Sequence, residues 1–139
     1  MTTSIFVNLP VSNLEASKNF YTALGYSINP NFTDETAACV VISDTIYAML
    51  LTHAKFSEFT KNPIADTKSS TAAIVALSAE SREAVDAVAS KALEAGGTET
   101  YDAQDHGFMY SRAFKDLDGH HWEVLWMDEA AAQSGPPES

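Results

Sequence analysis

The ionisable side chains best placed to do chemistry lie in the segment 114–124. This segment predicts a strand, a tight Asp-Gly turn and a returning strand. Because side chains alternate along a strand, His121 and Glu123 share one face, while Trp122 lies on the other. A carboxylate on a buried face is unfavourable unless a metal, a partner charge or a polar ligand accompanies it. Glu123 is therefore the first candidate functional residue.

Three interpretations of Glu123 stay open. It is a metal ligand, a polar contact for a small molecule, or the partner of Arg112 across the predicted hairpin, since a buried charge needs a partner. His121 lies on the same face, and His106 precedes the hairpin. If these two histidines converge with Glu123, they form a metal site of an unusual kind.

Aromatic side chains and one cation alternate along the preceding strand, at Tyr110, Arg112 and Phe114. One interpretation is an aromatic core face with Arg112 at its edge. The other is the wall of a binding cleft, where Tyr110 and Arg112 contact a ligand, because arginine binds carboxylate and phosphate groups bidentately. Asn8, in the first strand, is a further candidate contact, as a weak neutral oxygen donor.

The composition limits the classes of partner. The 139-residue chain suits one domain, and 19 acidic against 8 basic residues give a net charge of -11. This negative charge disfavours binding to nucleic acid and to anionic lipid, because both need basic patches on the protein. No apolar run approaches the ~20 residues of a membrane span, and the first residues lack signal-peptide features. The single Cys39 excludes an internal disulfide and predicts a buried, inert thiol. We therefore expect a cytoplasmic protein.

The order of predicted elements repeats along the chain. A strand near residues 5–9, a helix that ends at Gly25 and three strands are followed by a second strand, a helix that ends at Gly96 and three further strands. The sequence thus predicts an α+β fold of two βαβββ modules, residues 4–61 and 71–127, joined by a connector over 62–70. Their curled sheets would face a shared cleft, and residues 128–139 would form a disordered tail.

Two motifs add a family resemblance to this module order. They are Val7-x-Leu9-x-Val11-x-Asn13-Leu14-x-x-Ser17-x-x-Phe20-Tyr21-x-x-Leu24-Gly25 and Asp116-Leu117-Asp118-Gly119-His120-x-Trp122-Glu123-Val124. The chain resembles the vicinal oxygen chelate superfamily, which includes glyoxalase I, bleomycin-resistance proteins and extradiol dioxygenases. Residues 6–10 and 104–110 also look like a bacterial branch of predicted lactoylglutathione lyase-like proteins. The resemblance implies a homodimer with a small-molecule ligand.

In metal-dependent members of this superfamily, the resemblance places the metal ligands at Phe6, about Leu50, about Ile74, and Glu123. Only Glu123 carries a donor atom, so the usual chelate cannot form. We therefore expect a small-molecule-binding protein of the glyoxalase/bleomycin-resistance type and do not favour a divalent metal.

The alternative is a metal-dependent lyase or isomerase that resembles glyoxalase I and acts on a small carbonyl or thiol-adduct substrate. Glu123 would then be a ligand or a catalytic base. The two functions differ in whether His106, His121 and Glu123 converge on one point.

Overall fold

The computed structural model describes residues 2–135. The first module contains β1 (Ile5–Val11), α1 (Leu14–Ala23), β2 (Ser27–Asn29), a 3-10 turn (Pro30–Phe32), β3 (Ala37–Val41), β4 (Ile46–Thr52) and the short α2 (His53–Phe56). The second contains β5 (Ile74–Ser78), α3 (Arg82–Glu94), β6 (Thr98–Glu99), β7 (Gln104–Asp105), β8 (Met109–Lys115), β9 (His121–Met127) and α4 (Glu129–Ser134).

The two sheets have the same strand order. The first sheet runs β1-β4-β3-β2, and the second runs β5-β9-β8-β6, with β7 also paired to β8. In each sheet the first and last strands of the module are parallel neighbours, and the other pairs are antiparallel. The predicted α+β fold of duplicated modules is confirmed. The second module differs because its second strand is divided into β6 and β7.

Side-chain caps fix where the two long helices begin. Asn13 caps α1, since its side chain accepts a hydrogen bond from the Ala16 N–H at 3.0 Å. Ser81 caps α3 in the same way through the Ala84 N–H. Ser12, the residue before Asn13, donates its N–H to Asp118 Oδ1 at 2.9 Å. One contact between the modules therefore lies at the start of α1.

The hydrophobic core lies on the helix side of both sheets. It includes Leu9, Phe20, Leu50, Val85, Phe114, Trp122 and Val124. Helices α1 and α3 cover these faces and also contact each other. Cys39 is buried, as predicted. The opposite faces of the two sheets, here called the open faces, are not covered by α1 or α3, although the short α2 packs beside β1 and β4 on the first of them.

The C-terminal segment differs from the prediction of a disordered tail from residue 128. Residues Glu129–Ser134 form α4, which the alanine-rich sequence favours, and Ala131 is buried. The Asp128 N–H also donates to the Phe108 carbonyl at 2.7 Å. The last four residues of the predicted tail, 136–139, lie outside the described part. Within residues 2–135, no helix has the length and apolar character needed to cross a membrane.

Candidate functional site

A cavity of about 430 Å³ lies where the two modules meet, and we call it the seam cavity. Its walls come from residues 7–10 of β1, from the start of β5, and from residues 119–122 at the β8–β9 turn. The connector between the modules closes it, together with Phe56 and Thr60. Both β1 and β5 are edge strands, so no strand fills the space between them. The cavity volume falls in the range of small-molecule sites.

Two of the predicted ligand-binding residues line this cavity, Asn8 and His121. Asn8 Nδ2 donates to the Phe6 carbonyl at 3.2 Å, and His121 Nε2 lies 3.2 Å from Thr100 Oγ1. Most of the remaining lining is apolar, with Val7, Leu9 and Ile64 among its members. Such a site binds an apolar body and fixes its orientation through a few polar contacts.

Glu123 lies on the open face of the second sheet, half-buried, on the same side as His121. Tyr101 donates its hydroxyl to Glu123 Oε2 at 2.6 Å. Burial, followed by this hydrogen bond, raises the pKa of Tyr101 to about 12. The phenol therefore stays protonated and keeps donating through the neutral pH range. Tyr101 was not predicted as a site residue, because nothing in its own segment shows that it lies next to Glu123.

The predicted pairing of Arg112 with Glu123 is wrong. In the β8–β9 register Arg112 lies opposite Val124 and Ala113 lies opposite Glu123, so the two charged residues are on different faces. Arg112 instead binds Asp86 Oδ1 and Glu99 Oε2, both at 3.2 Å.

Tyr110 shares the face of Arg112, toward α3. Its hydroxyl donates to Asp86 Oδ1 at 2.6 Å. This bond, followed by desolvation, raises the pKa of Tyr110. Neither Tyr110 nor Arg112 lines the seam cavity. They attach β8 to α3, as in the alternative of a core face with Arg112 at its edge.

His106 is exposed in the loop between β7 and β8 and does not line the seam cavity. Arg82 holds this loop through Asp105 Oδ2 at 2.6 Å and the Gly107 carbonyl at 2.8 Å. Within residues 2–135, no three His, Cys, Asp or Glu side chains are grouped so that they could hold a metal ion. His106, His121 and Glu123 therefore do not form the three-residue group that the metal-dependent alternative requires.

The residues at the superfamily's metal positions do not fit a divalent ion. Phe6 and Ile74 lie on the open faces, 53% and 55% exposed, and neither has a donor atom. Leu50 is fully buried in the core, because its register partner Leu9 faces α1. Its neighbours Met49 and Leu51 face the open side and offer at most a soft thioether. Glu123 is thus the one hard donor at these four positions.

A buried polar network, also not predicted, holds the β8–β9 turn against α1. The Tyr21 hydroxyl donates to Asp116 Oδ2 and accepts from Trp122 Nε1 at 2.9 Å. Asp116 Oδ1 accepts the N–H groups of Asp118 and His120. Burial raises the pKa of both Tyr21 and Asp116. The sequence indicates the turn itself, but only the packing shows that its carboxylate is buried.

The same turn is tied to β1 and to the connector. Asp118 Oδ2 accepts from Ser17 Oγ at 3.4 Å, and His120 Nε2 lies 2.7 Å from the Pro10 carbonyl. Thr67 Oγ1 donates to the Asp118 carbonyl at 2.5 Å. The connector passes so close that a Cβ on Gly119 would lie 2.3 Å from the Thr67 carbonyl oxygen. These contacts fix the turn that forms one wall of the seam cavity.

Comparisons with known proteins agree with this architecture. The family model for the bleomycin resistance protein-like N-terminal domain matches residues 3–43. A hypothetical protein from S. aureus is 29% identical, with a TM-score of 0.76 over 91% of this chain and 94% of that one. No curated protein matches the sequence.

Two other structures share the fold at lower identity. A glyoxalase/bleomycin resistance protein/dioxygenase family enzyme from Burkholderia phytofirmans PsJN is 14% identical, with a TM-score of 0.74 over 91% of this chain and 99% of that one. A glyoxalase/bleomycin resistance protein/dioxygenase from Nocardioides is 22% identical, with a TM-score of 0.70 over 100% of this chain and 89% of that one. The shared folds confirm the architecture of duplicated modules, and the N-terminal match agrees with the resemblance to the vicinal oxygen chelate superfamily that the sequence motifs indicate.

Proposed function

We propose that the chain binds a small, mostly apolar molecule in the seam cavity, without a divalent metal at the superfamily's ligand positions. The observation that carries this proposal is the cavity itself, whose apolar walls bring Asn8 and His121 together between the two modules. It is large enough for a drug-sized ligand. A binding protein needs no chelated ion, which agrees with the apolar residues at the metal positions.

Net charge and the sequence match refine the ligand class. A net charge of -11 attracts cationic molecules over anionic ones. The N-terminal family model is named for bleomycin resistance, so metal-free bleomycin is a reasonable probe beside simple aromatic compounds. We therefore expect neutral or cationic aromatic molecules to bind and aromatic carboxylates to bind more weakly.

The alternative of a metal-dependent lyase, and with it the lactoylglutathione lyase-like branch, has less support. It needs several hard or imidazole ligands around one ion, and Glu123 alone meets that need at the matched positions. Near-stoichiometric metal in protein purified without chelator, lost in Glu123→Ala, would restore that alternative.

Titration with benzyl alcohol and with metal-free bleomycin, followed by calorimetry or NMR, tests the proposal. Ala73 lines the cavity and Ala130 is exposed on α4, so Ala73→Trp and Ala130→Trp make the same change inside and outside the site. We expect Ala73→Trp to weaken binding by at least about tenfold, because one well-packed aromatic contact amounts to 1–3 kcal/mol. Ala130→Trp and Arg112→Ala should bind like wild type.

Val75→Phe, which fills the same cavity from β5, is a second variant in case the new indole turns toward solvent. Thermal unfolding would confirm that each variant folds. Equal binding of the probes by wild type, Ala73→Trp and Val75→Phe would contradict the proposal. So would the absence of any binding at millimolar concentration.

We also propose that two copies of the chain associate in the cytoplasm, as the superfamily resemblance implies. Support comes from large apolar side chains that remain exposed, among them Phe6, Phe32 and Phe59 at 53%, 67% and 71%. Phe6 and Phe32 line one groove on the open face of the first sheet, and Phe59 lines a second. Exposed apolar patches of this kind are typical of protein interfaces.

A further inference from the structure

We propose that Glu123 forms a carboxylate subsite beside the seam cavity, closed by Tyr101, and that a ligand's protonated amine takes the place of the Tyr101 hydroxyl. This inference rests on the proposed function, since the apolar part of the same ligand would occupy the seam cavity. It assigns to Glu123 an organic cation in place of the metal ion that the superfamily position implies.

The subsite adjoins the cavity through His121. His121 lines the cavity, and Glu123 follows it by two residues on the same face of β9, about 7 Å further along the strand. The ring of Tyr101 lies 6.5 Å from the ring of His121, centroid to centroid. A ligand in the cavity therefore needs to extend past one side chain to reach the carboxylate.

Glu123 retains the capacity to bind a cation. Within residues 2–135, the ion pairs engage Lys18, Lys55, Arg82 and Arg112 with other carboxylates, and none includes Glu123. Lys115 lies opposite His121 on the neighbouring strand and makes no ion pair with Glu123 either. A carboxylate has about four acceptor sites, and in the described part of the chain Tyr101 is its one side-chain donor.

Tyr101 lies where its segment is weakly held. β6 ends at Glu99 and β7 begins at Gln104, so Tyr101 falls in a gap where pairing with β8 is interrupted. The N–H of Thr100 lies 3.5 Å from the Ala113 carbonyl, at the long limit for a hydrogen bond. Residues 102 and 103 are exposed. Few contacts are lost when such a segment moves, so a ligand is able to displace the phenol.

The positive charge of an amine favours it over a neutral hydroxyl as the ligand group that replaces the Tyr101 hydroxyl at Glu123. Tyr101 belongs to the same chain as Glu123, so its effective concentration at the carboxylate is high. A ligand hydroxyl donates to the carboxylate in the same way as the phenol, without a charge of its own, and cannot compete with it. A protonated amine adds the Coulomb attraction between two full charges, and the net charge of -11 also attracts it.

Benzylamine and benzyl alcohol test the subsite, since they share a ring and differ in charge at pH 7. Calorimetric titration of wild type, Tyr101→Phe, Tyr101→Ala and Glu123→Gln would give the dissociation constants. Tyr110→Phe is the matched control, because Tyr110 also donates to a carboxylate at 2.6 Å but on the helix side of the sheet. Thermal unfolding verifies that the variants fold.

We expect Tyr101→Phe and Tyr101→Ala to bind benzylamine about tenfold more tightly than wild type, because an internal hydrogen bond to a charged group no longer competes. Benzyl alcohol should change less than twofold, and Tyr110→Phe should match wild type for both probes. Glu123→Gln added to Tyr101→Phe should remove the gain. No gain for benzylamine in both Tyr101 variants, or an equal gain for benzyl alcohol, overturns the inference.

The outcome is separable from that of the proposed function. If Ala73→Trp weakens both probes but the Tyr101 variants change nothing, the cavity binds ligands and the subsite does not exist. If the Tyr101 variants gain affinity through Glu123 while Ala73→Trp has no effect, the subsite stands and the proposal for the seam cavity fails.

Discussion

The last hairpin turn of each module occupies an equivalent place in its sheet, but the two turns have different surroundings. Between β3 and β4, Ser43 and Asp44 are exposed, and the local bonds run from Ile42 and Ser43 to the Ile46 carbonyl. Between β8 and β9, Asp116 and its neighbours are buried against α1 of the other module. Duplication of the backbone therefore did not duplicate the environment, because only one turn meets the partner module.

The open faces of the two sheets differ in the same way. On the first, Phe6 stacks on Tyr47 with ring centroids 4.7 Å apart, beside Met49. On the second, Glu123 and His121 bind Tyr101 and Thr100. One face is aromatic and the other polar, although their strand order is the same. Of these side chains, His121 lines the seam cavity, whereas Phe6, Tyr47 and Met49 line a separate groove.

The comparison of turns predicts the largest effect. Asp116→Ala leaves the buried Tyr21 hydroxyl and the N–H groups of Asp118 and His120 without their acceptor, so we expect a loss of at least about 3 kcal/mol in the free energy of unfolding. Asp44→Ala, in the exposed turn, should change it by less than about 0.5 kcal/mol. Urea unfolding of both variants measures the difference. Similar losses would show that the two turns are equivalent in energy.

The polar open face predicts a smaller, pH-dependent effect. The pKa of Tyr101 is raised to about 12, above its ordinary value of 10.0, so its contribution to stability is fully present below pH 10 and is lost as the pH rises toward 12. The phenolate absorbance of wild type minus that of Tyr101→Phe should follow this titration. Glu123→Gln should lower the midpoint only in part, because burial is the larger cause. A midpoint near 10 in wild type would contradict the Tyr101–Glu123 bond.

The aromatic open face predicts the smallest effect on folding. Phe32 is 67% exposed, so Phe32→Ser should change the free energy of unfolding by less than about 0.5 kcal/mol. If this face joins two copies, the same variant should shift the mass measured by light scattering from dimer toward monomer. Asp44→Ala, which alters an exposed polar residue, is the control for association. A monomeric wild type at micromolar concentration would rule out the proposed dimer.

Local patterns predicted most of the elements, because strand alternation and helix caps act over a few residues. Ser81 caps α3 as its place before the apolar pattern indicates, and the two modules repeat in the predicted order. At the start of α1, however, the Ser12 N–H donates to Asp118, 106 residues away. No local pattern contains that contact.

Site residues were predicted less well, because alternation tells which side chains share a face and not which way that face points. The grouping of Tyr110 with Arg112 is right, and so is that of His121 with Glu123. The position of α3 shows which face is which: its Asp86 binds Tyr110 and Arg112, so these two residues lie on the helix side of the sheet. His121 and Glu123 therefore lie on the open face. Asn8 and His121, far apart in sequence, lie in one cavity because β1 and β5 are adjacent edges.

The sequence by itself determined the duplicated α+β plan, the excess of negative charge and the absence of donor atoms in the side chains of Phe6 and Ile74, since these depend on residue type and short-range order. Only the tertiary structure decided that Asp116 is buried, that the Tyr101 hydroxyl donates to Glu123, and that a cavity lies between the two modules. Such properties come from contacts between segments distant in the chain, and their free energies depend on packing that no single segment encodes.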